Sequence, residues 1–163
     1  MYRHGHTGVC LLLYAPVGYL VLSAGRPTLA AAGLVVLVWL AMVPDLDMKI
    51  PFLAHRGPTH TFLFAVFFGL VCGAGGWILG SELTAFSSRM LGGFGFFLGV
   101  LVVISHLLAD VLTPMGIAPF WPLSPKRYSL SLFYASNAPA NYLLLLIGVG
   151  ATVAVLWFAG IIR

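Results

Sequence analysis

Five long apolar runs, separated by short polar links, constrain this chain more than any other feature it has. They fall at about 8–24, 28–43, 59–80, 91–112 and 141–162. A helix needs roughly 20 mostly apolar residues to cross the hydrocarbon core, within a usable range of about 17–25. Backbone polar groups in lipid must be satisfied within the segment itself, which leaves the helix as the natural spanning element. The runs therefore predict an all-α, polytopic transmembrane helical bundle of about five spans. The second run is short and stops at Pro44, so its flank must be buried in protein or its helix must start earlier. Composition agrees. Of 163 residues, 61% are hydrophobic and 7% charged, whereas a soluble domain carries roughly 25% charged residues. So few charges cannot cover a water-facing surface. No second composition regime appears, and residues 1–163 read as one integral membrane domain.

The formal net charge is +4, but its basic residues are thinly scattered between apolar runs, with no stripe of the kind that binds nucleic acid. They read as juxtamembrane charges that set topology. With five spans, Arg3, Lys49, Arg56, Lys126 and Arg127 share one face, while Arg26, Arg89 and Arg163 share the other. That bias favours a cytoplasmic first face. Arg3 before an apolar run and the small residues Ser23-Ala24-Gly25 give the N-terminus some likeness to a signal peptide, but cleavage there would discard His6. Cys10 and Cys72 lie inside apolar runs and read as small core or lipid-facing residues. Gly75-Gly76 and Gly92-Gly93 read as sites of close helix packing. The chain has no HExxH helix, GxSxG elbow or GxxxxGK[ST] loop.

The chemistry-bearing residues are few and grouped. The chain has five His and four acidic residues. Most of them occupy four short motifs: His6 in HGHTG, Asp45 and Asp47 in PDLD, His55 and His60 in HRGPTH, and His106 and Asp110 in SHLLADVLTP. The five-span topology puts all four motifs on one face, with His6 just before the first helix. His106 and Asp110 are four apart on a helix, so they project from one side about one turn apart. Both lie at membrane depth, where ionisable side chains are costly and usually functional. In an extended turn Asp45 and Asp47 point the same way and face one pocket. Gly57-Pro58 forces a tight turn that folds His55 and His60 toward each other. Taken singly, each motif also has a structural reading: a hydrogen-bonded His–Asp pair, solvated turn carboxylates, an unremarkable loop His.

Imidazole and carboxylate donors together suit a divalent metal: zinc first, with manganese and iron also accommodated. Seven candidates exceed the ligand set of one catalytic zinc, so the site holds either one ion with supporting groups or two ions. Arg56, Lys126 and Arg127 lie on the same face, where guanidinium can clamp a phosphate; surface anchoring is the alternative. Thr59, Thr61, Ser105 and Thr113 flank the ligands and either orient them or cap helices. Trp121 and Tyr128 read as interfacial aromatics, and Glu82 as a solvated link residue on the opposite face. The 113–139 stretch, with Pro114, Pro119, Pro122, Pro125 and Pro139, is too long to be a mere connector.

This motif set resembles the YdjM family, inner-membrane proteins described as metal-dependent hydrolases of the LexA-regulated type. The resemblance rests on Gly5-His6, PDLD at 44–47, HRGPTH at 55–60 followed by Thr61, and SHLLADVLTPMGIAPFWP at 105–122. It implies a multi-span protein of a prokaryotic-type inner membrane with a metal-centred hydrolase site built from these residues. Members often carry a His after PDxD, where this chain has Met48. The resemblance does not imply regulation by LexA for this chain.

The expectation is a hydrolase acting at the bilayer interface on an ester or phosphoester, in a lipid, lipid-linked or small-molecule substrate. His6, Asp45, His60, His106 and Asp110 are the expected metal ligands. Asp47 and His55 are expected to act as base, further ligand or support, and Arg56 to bind a phosphoryl group. The rival is a non-enzymatic membrane protein that binds or transports metal ions or protons, for which polar residues should continue through the bilayer.

Overall fold

The computed structural model describes residues 1–83 and 86–163; Thr84 and Ala85, within the expected 81–89 link, lie outside the described residues. Among the described residues five α-helices follow one another: α1 (Arg3–Ser23), α2 (Pro27–Leu40), α3 (Phe62–Glu82), α4 (Ser88–Val111) and α5 (Ala138–Phe158). All five segments are long and apolar enough to cross a membrane, α2 only when its continuation to Lys49 is counted. That continuation is a 3₁₀ turn over Pro44–Lys49, opened by Pro44, and it explains how a 14-residue helix serves as a span. Among the described residues there is no β-strand, only one isolated bridge between Ile117 and Tyr128.

Two boundaries differ from expectation. Helix α1 begins at Arg3, so His6 lies inside its first turns instead of preceding it. The PDLD segment is a 3₁₀ turn, not an extended one. Residues of a 3₁₀ helix turn by about a third of a circle each, so Asp45 and Asp47 diverge toward different neighbours.

Small residues let the helices approach closely, as in membrane bundles generally, where lipid offers no hydrophobic drive for helix association. A Cβ on Gly8 of α1 would run into the Leu144–Leu145 backbone of α5, and one on Gly148 would run into Gly8 itself. Between α3 and α4, Gly69, Gly73 and Gly76 face Gly92, Phe96 and the Leu91 carbonyl, while Gly95 and Gly99 face the backbone of α3. Of the two expected glycine pairs, Gly76 and Gly92 sit at this interface, whereas Gly75 and Gly93 face open space. The apolar core joins Cys10, Tyr14, Leu37, Ala41, Leu98 and Val102 from α1, α2 and α4. A second cluster of Ala65, Val103, Leu107 and Ile117 brings in α3 and the loop after α4.

That loop folds back onto the end of α4. Leu130 and Leu132 donate backbone hydrogen bonds to the Val111 and Leu112 carbonyls, and Ser129 donates its hydroxyl to the Thr113 carbonyl. Carbonyls at a helix end lack intrahelical partners, so the loop both caps α4 and covers its polar rim. Phe62 at the start of α3 donates to the Pro119 carbonyl, which ties the same loop to the HRGPTH segment.

Candidate metal centre

Four elements deliver the site. Helix α1 brings His6, the 3₁₀ turn brings Asp45 and Asp47, and the segment before α3 brings His55, Arg56, Thr59 and His60. The last turns of α4 bring His106 and Asp110. His6, His60, His106 and Asp110 are fully buried, and Asp45, Asp47 and Arg56 nearly so. The solvated-turn reading of Asp45 and Asp47 is therefore excluded.

Three imidazole Nε2 atoms and two carboxylates face one another. His106 Nε2 lies 3.2 Å from Asp45 Oδ1 and 3.7 Å from Asp110 Oδ2. His60 Nε2 is 3.4 Å from both Asp45 Oδ1 and Asp110 Oδ2. His6 Nε2 is 3.7 Å from Asp110 Oδ1 and 3.9 Å from Asp45 Oδ2. The rings of His6 and His106 stack at 3.7 Å, and His60 meets His106 edge-on. Donor atoms of Asp45, His60, His106 and Asp110 all lie within 4.8 Å of one another, close enough to share one ion.

The tautomers follow from what the other ring nitrogens touch. His106 Nδ1 lies 2.9 Å from the Ala41 carbonyl, which can only accept, so Nδ1 carries the proton. The Thr59 hydroxyl donates to Asp47 Oδ2 at 2.8 Å, so His60 Nδ1, 2.9 Å from Thr59 Oγ1, must donate to that hydroxyl oxygen. In its neutral form each ring then turns a bare Nε2 lone pair toward carboxylate oxygens. His6 Nε2, His60 Nε2 and Asp110 Oδ2 are buried without any hydrogen-bond partner. Buried polar atoms rarely go unpaired, and lone pairs aimed at carboxylates repel unless a cation or proton lies between them. Counting side chains, Asp45, Asp47 and Asp110 bring three negative charges against the single positive charge of Arg56. The Met1 amino nitrogen, 3.2 Å from Asp110 Oδ1, offsets one more where it is protonated. A deficit of positive charge remains, and the nitrogen–oxygen donor set fits a divalent metal. The buried His/Asp group can hold a metal ion.

The groups around these donors hold them in place. Arg56 gives one terminal nitrogen to Asp110 Oδ1 at 2.7 Å and the other to Thr113 Oγ1 and the Gly116 carbonyl. Its backbone sits at φ 57°, an uncommon region for a residue with a side chain. Its N–H donates to Asp47 Oδ2, which helps to hold that conformation. His55 Nδ1 lies 3.0 Å from Asp47 Oδ1, and with its side chain 35% exposed it stands at the mouth of the site. Burial opposes charge on His60, yet Asp110 and Asp45 outweigh it and hold the imidazole above its ordinary pKa.

All seven motif residues come together, in two linked groups. Asp45, His60, His106 and Asp110 form the first, with His6 alongside; Asp47, His55 and His60 form the second. Arg56 joins them from inside. Lys126 instead lies over the Tyr128 ring, and Arg127 donates to the Met115 and Gly116 carbonyls. Thr59 orients His60, Thr113 braces Arg56, and Thr61 caps α3 by accepting from the Phe64 amide. Ser105 shares a 2.7 Å contact with Cys10 and donates to the Val102 carbonyl. His4 packs on Tyr142, away from the site. Met48, at the position where the resembling family often has His, is 61% exposed and lies outside the buried cluster. The residue that sequence reasoning missed is Asn141. It is buried at the start of α5, accepts from the Tyr2 amide and donates to the Ala135 and Asn137 carbonyls, fastening the end of α1 that carries His6. A polar side chain in the first turn of a span is the signal that could have found it.

Searches of curated proteins and of solved structures find no match to the chain. A family model described as YdjM inner membrane protein matches residues 1–162. With five apolar helices and that match over almost its whole length, the chain is an integral inner membrane protein and belongs to the YdjM family.

Proposed function

We propose that this protein is a metal-dependent hydrolase of an ester or phosphoester presented at the bilayer surface, in a lipid or lipid-linked substrate. The observation that carries the reading is the set of buried, unpartnered Nε2 and carboxylate atoms beside a partly exposed His55 that is paired to the buried Asp47. His6, Asp45, His60, His106 and Asp110 would hold the ion, with zinc the best fit to that donor set. A divalent ion bound there supplies Lewis acidity and acidifies water toward neutrality.

The chain's own groups do the rest. Asp47 accepts from His55 Nδ1, so the His55 ring is fixed with Nε2 left free to take up or release a proton. Asp47 also accepts from Thr59 and the Arg56 amide, which holds it in place as the orienting carboxylate. Arg56, expected to bind a phosphoryl group, has both terminal nitrogens engaged with protein. In this reading it holds Asp110 toward the ion and retains only Nε without a partner. The mouth is flanked by the exposed apolar residues Leu46, Met48, Ile50 and Phe52, a surface suited to lipid. Lipid substrates carry their polar bond at this depth, which favours them over freely soluble ones.

The test is metal analysis of the purified protein together with turnover of phospholipids and lipid-linked phosphates. Wild type should carry a stoichiometric divalent metal and hydrolyse one of these classes, while H106A and D110A lose both properties. Metal binding without turnover of any ester or phosphoester would move the weight to a non-enzymatic metal-binding protein.

A further inference from the structure

At the membrane face opposite the metal centre, a second feature stands apart from the catalytic reading. An open groove of about 740 Å³ runs between α1 and α4, closed at its base by the start of α2. Leu20, Phe94 and Phe97 line its walls, and Arg26 and Arg89 stand at it with Met90. Its volume falls within the roughly 300–1,000 Å³ typical of ligand pockets.

The two arginines are placed unlike ordinary surface charges. Both are exposed. Arg26 directs a terminal nitrogen to the Met90 sulfur, a weak acceptor that leaves a guanidinium largely unsatisfied. Among the described residues neither Arg26 nor Arg89 pairs with a carboxylate; every ion pair lies at the metal centre. Glu82, the one acidic residue of this face, is exposed and pairs with neither. Two cations therefore sit at the polar end of an apolar trough oriented along the bundle. An acyl chain fills such a trough and a phosphate diester answers such cations, since guanidinium binds phosphate through paired hydrogen bonds.

We propose that this groove is a binding site for one anionic phospholipid, its headgroup phosphate on Arg26 and Arg89 and one acyl chain along Leu20, Phe94 and Phe97. The site lies across the bilayer from the metal centre, so its occupant is a bound lipid and not the substrate.

Gly93 supplies a clean test, because it lines the groove and a Cβ there would meet nothing within 4 Å. The full-length protein in detergent is given phosphatidylglycerol, phosphatidylcholine of the same chains, or glycerophosphate, and retained lipid is counted by native mass spectrometry. Wild type should retain one phosphatidylglycerol in preference to phosphatidylcholine. If each guanidinium contributes as a juxtamembrane cation does, that preference is about thirtyfold. R26Q/R89Q should erase the preference while still taking up lipid weakly, and G93W should retain neither lipid while keeping its metal. Equal retention of the two lipids by wild type would overturn the proposal. So would an undiminished preference in R26Q/R89Q, full retention in G93W, or displacement of the lipid by an equal concentration of glycerophosphate.

Discussion

Replacing Thr59 by Val tests the metal centre through a residue that cannot itself be a strong ligand there. The Thr59 hydroxyl accepts from His60 Nδ1 at 2.9 Å and donates to Asp47 Oδ2 at 2.8 Å. Val keeps the shape and removes both bonds. Asp47 Oδ2 retains the Arg56 amide, so the metal-free protein should lose only about 1–2 kcal/mol, the worth of one or two hydrogen bonds. The larger effect falls on the ion. Without Thr59 only the longer 3.4 Å approach of Asp47 Oδ2 holds the proton on Nδ1, so Nε2 is aimed less firmly at Asp45 and Asp110. Loss of such an orienting partner typically lowers metal affinity about 10–100-fold. Stabilisation by a bound ligand grows as RT ln(1 + [L]/Kd), so at saturating metal the shortfall is about 1.4–2.7 kcal/mol. The assay is thermal unfolding in detergent, with and without added zinc, alongside direct metal titration. T59V should show a weakened metal-induced rise in Tm, and T59S, which keeps the hydroxyl, should recover it. An unchanged metal affinity in T59V would refute the assignment of His60 Nε2 as a ligand held by this relay.

Three further outcomes follow from the same geometry. H106A and D110A should each lose most bound metal by elemental analysis, but D110A should also unfold earlier, because it strands the buried Arg56 charge at a cost of about 3–5 kcal/mol. H55Q should keep its metal while turnover falls by about 10²–10⁴, the usual contribution of a general acid or base; loss of metal in this variant would make His55 a ligand instead. G148V should destabilise the α1–α5 contact by about 1–3 kcal/mol or more through overpacking, whereas G150V, whose Cβ meets nothing, should leave unfolding in detergent unchanged.

The sequence carried the bundle and the membership of the site, but not the register of its parts. Apolar run length reports where lipid is, and it located all five helices. It is blind to helix ends set by protein. The start of α1 is fixed by the Tyr2 amide on Asn141, so His6 was placed one step outside the helix that holds it. The two carboxylates of PDLD were expected to share a direction; Pro44 instead opens a 3₁₀ turn that sends Asp45 to His106 and Asp47 to His55. For Arg56 the hydropathy pattern gives no direction at all. Only the summed charge of three carboxylates on this face argues for an inward cation, and that sum requires the fold to be known first.

The distribution of buried polar groups bears on whether such a site transforms or transports. His6, Asp45, Asp47, Arg56, His60, His106, Asp110, Thr113 and Asn141 all gather at one rim. Toward the other face the polar tip of Tyr14 is spent across the helix pair on the Ala30 carbonyl of α2, and Thr152 on the Gly148 carbonyl of its own helix. The cavity beside them is lined by Ala15, Gly18, Ala30 and Leu34 and offers an ion no ligands. An ion leaving the carboxylates in that direction would shed its coordination for hydrocarbon, at a cost of many kcal/mol. Whatever reaches the metal centre must therefore enter and leave by the same rim, past His55 and the exposed apolar residues from Leu46 to Phe52. That constraint suits the lipid substrate proposed above, which would arrive laterally, be cleaved at its headgroup and depart into the same leaflet.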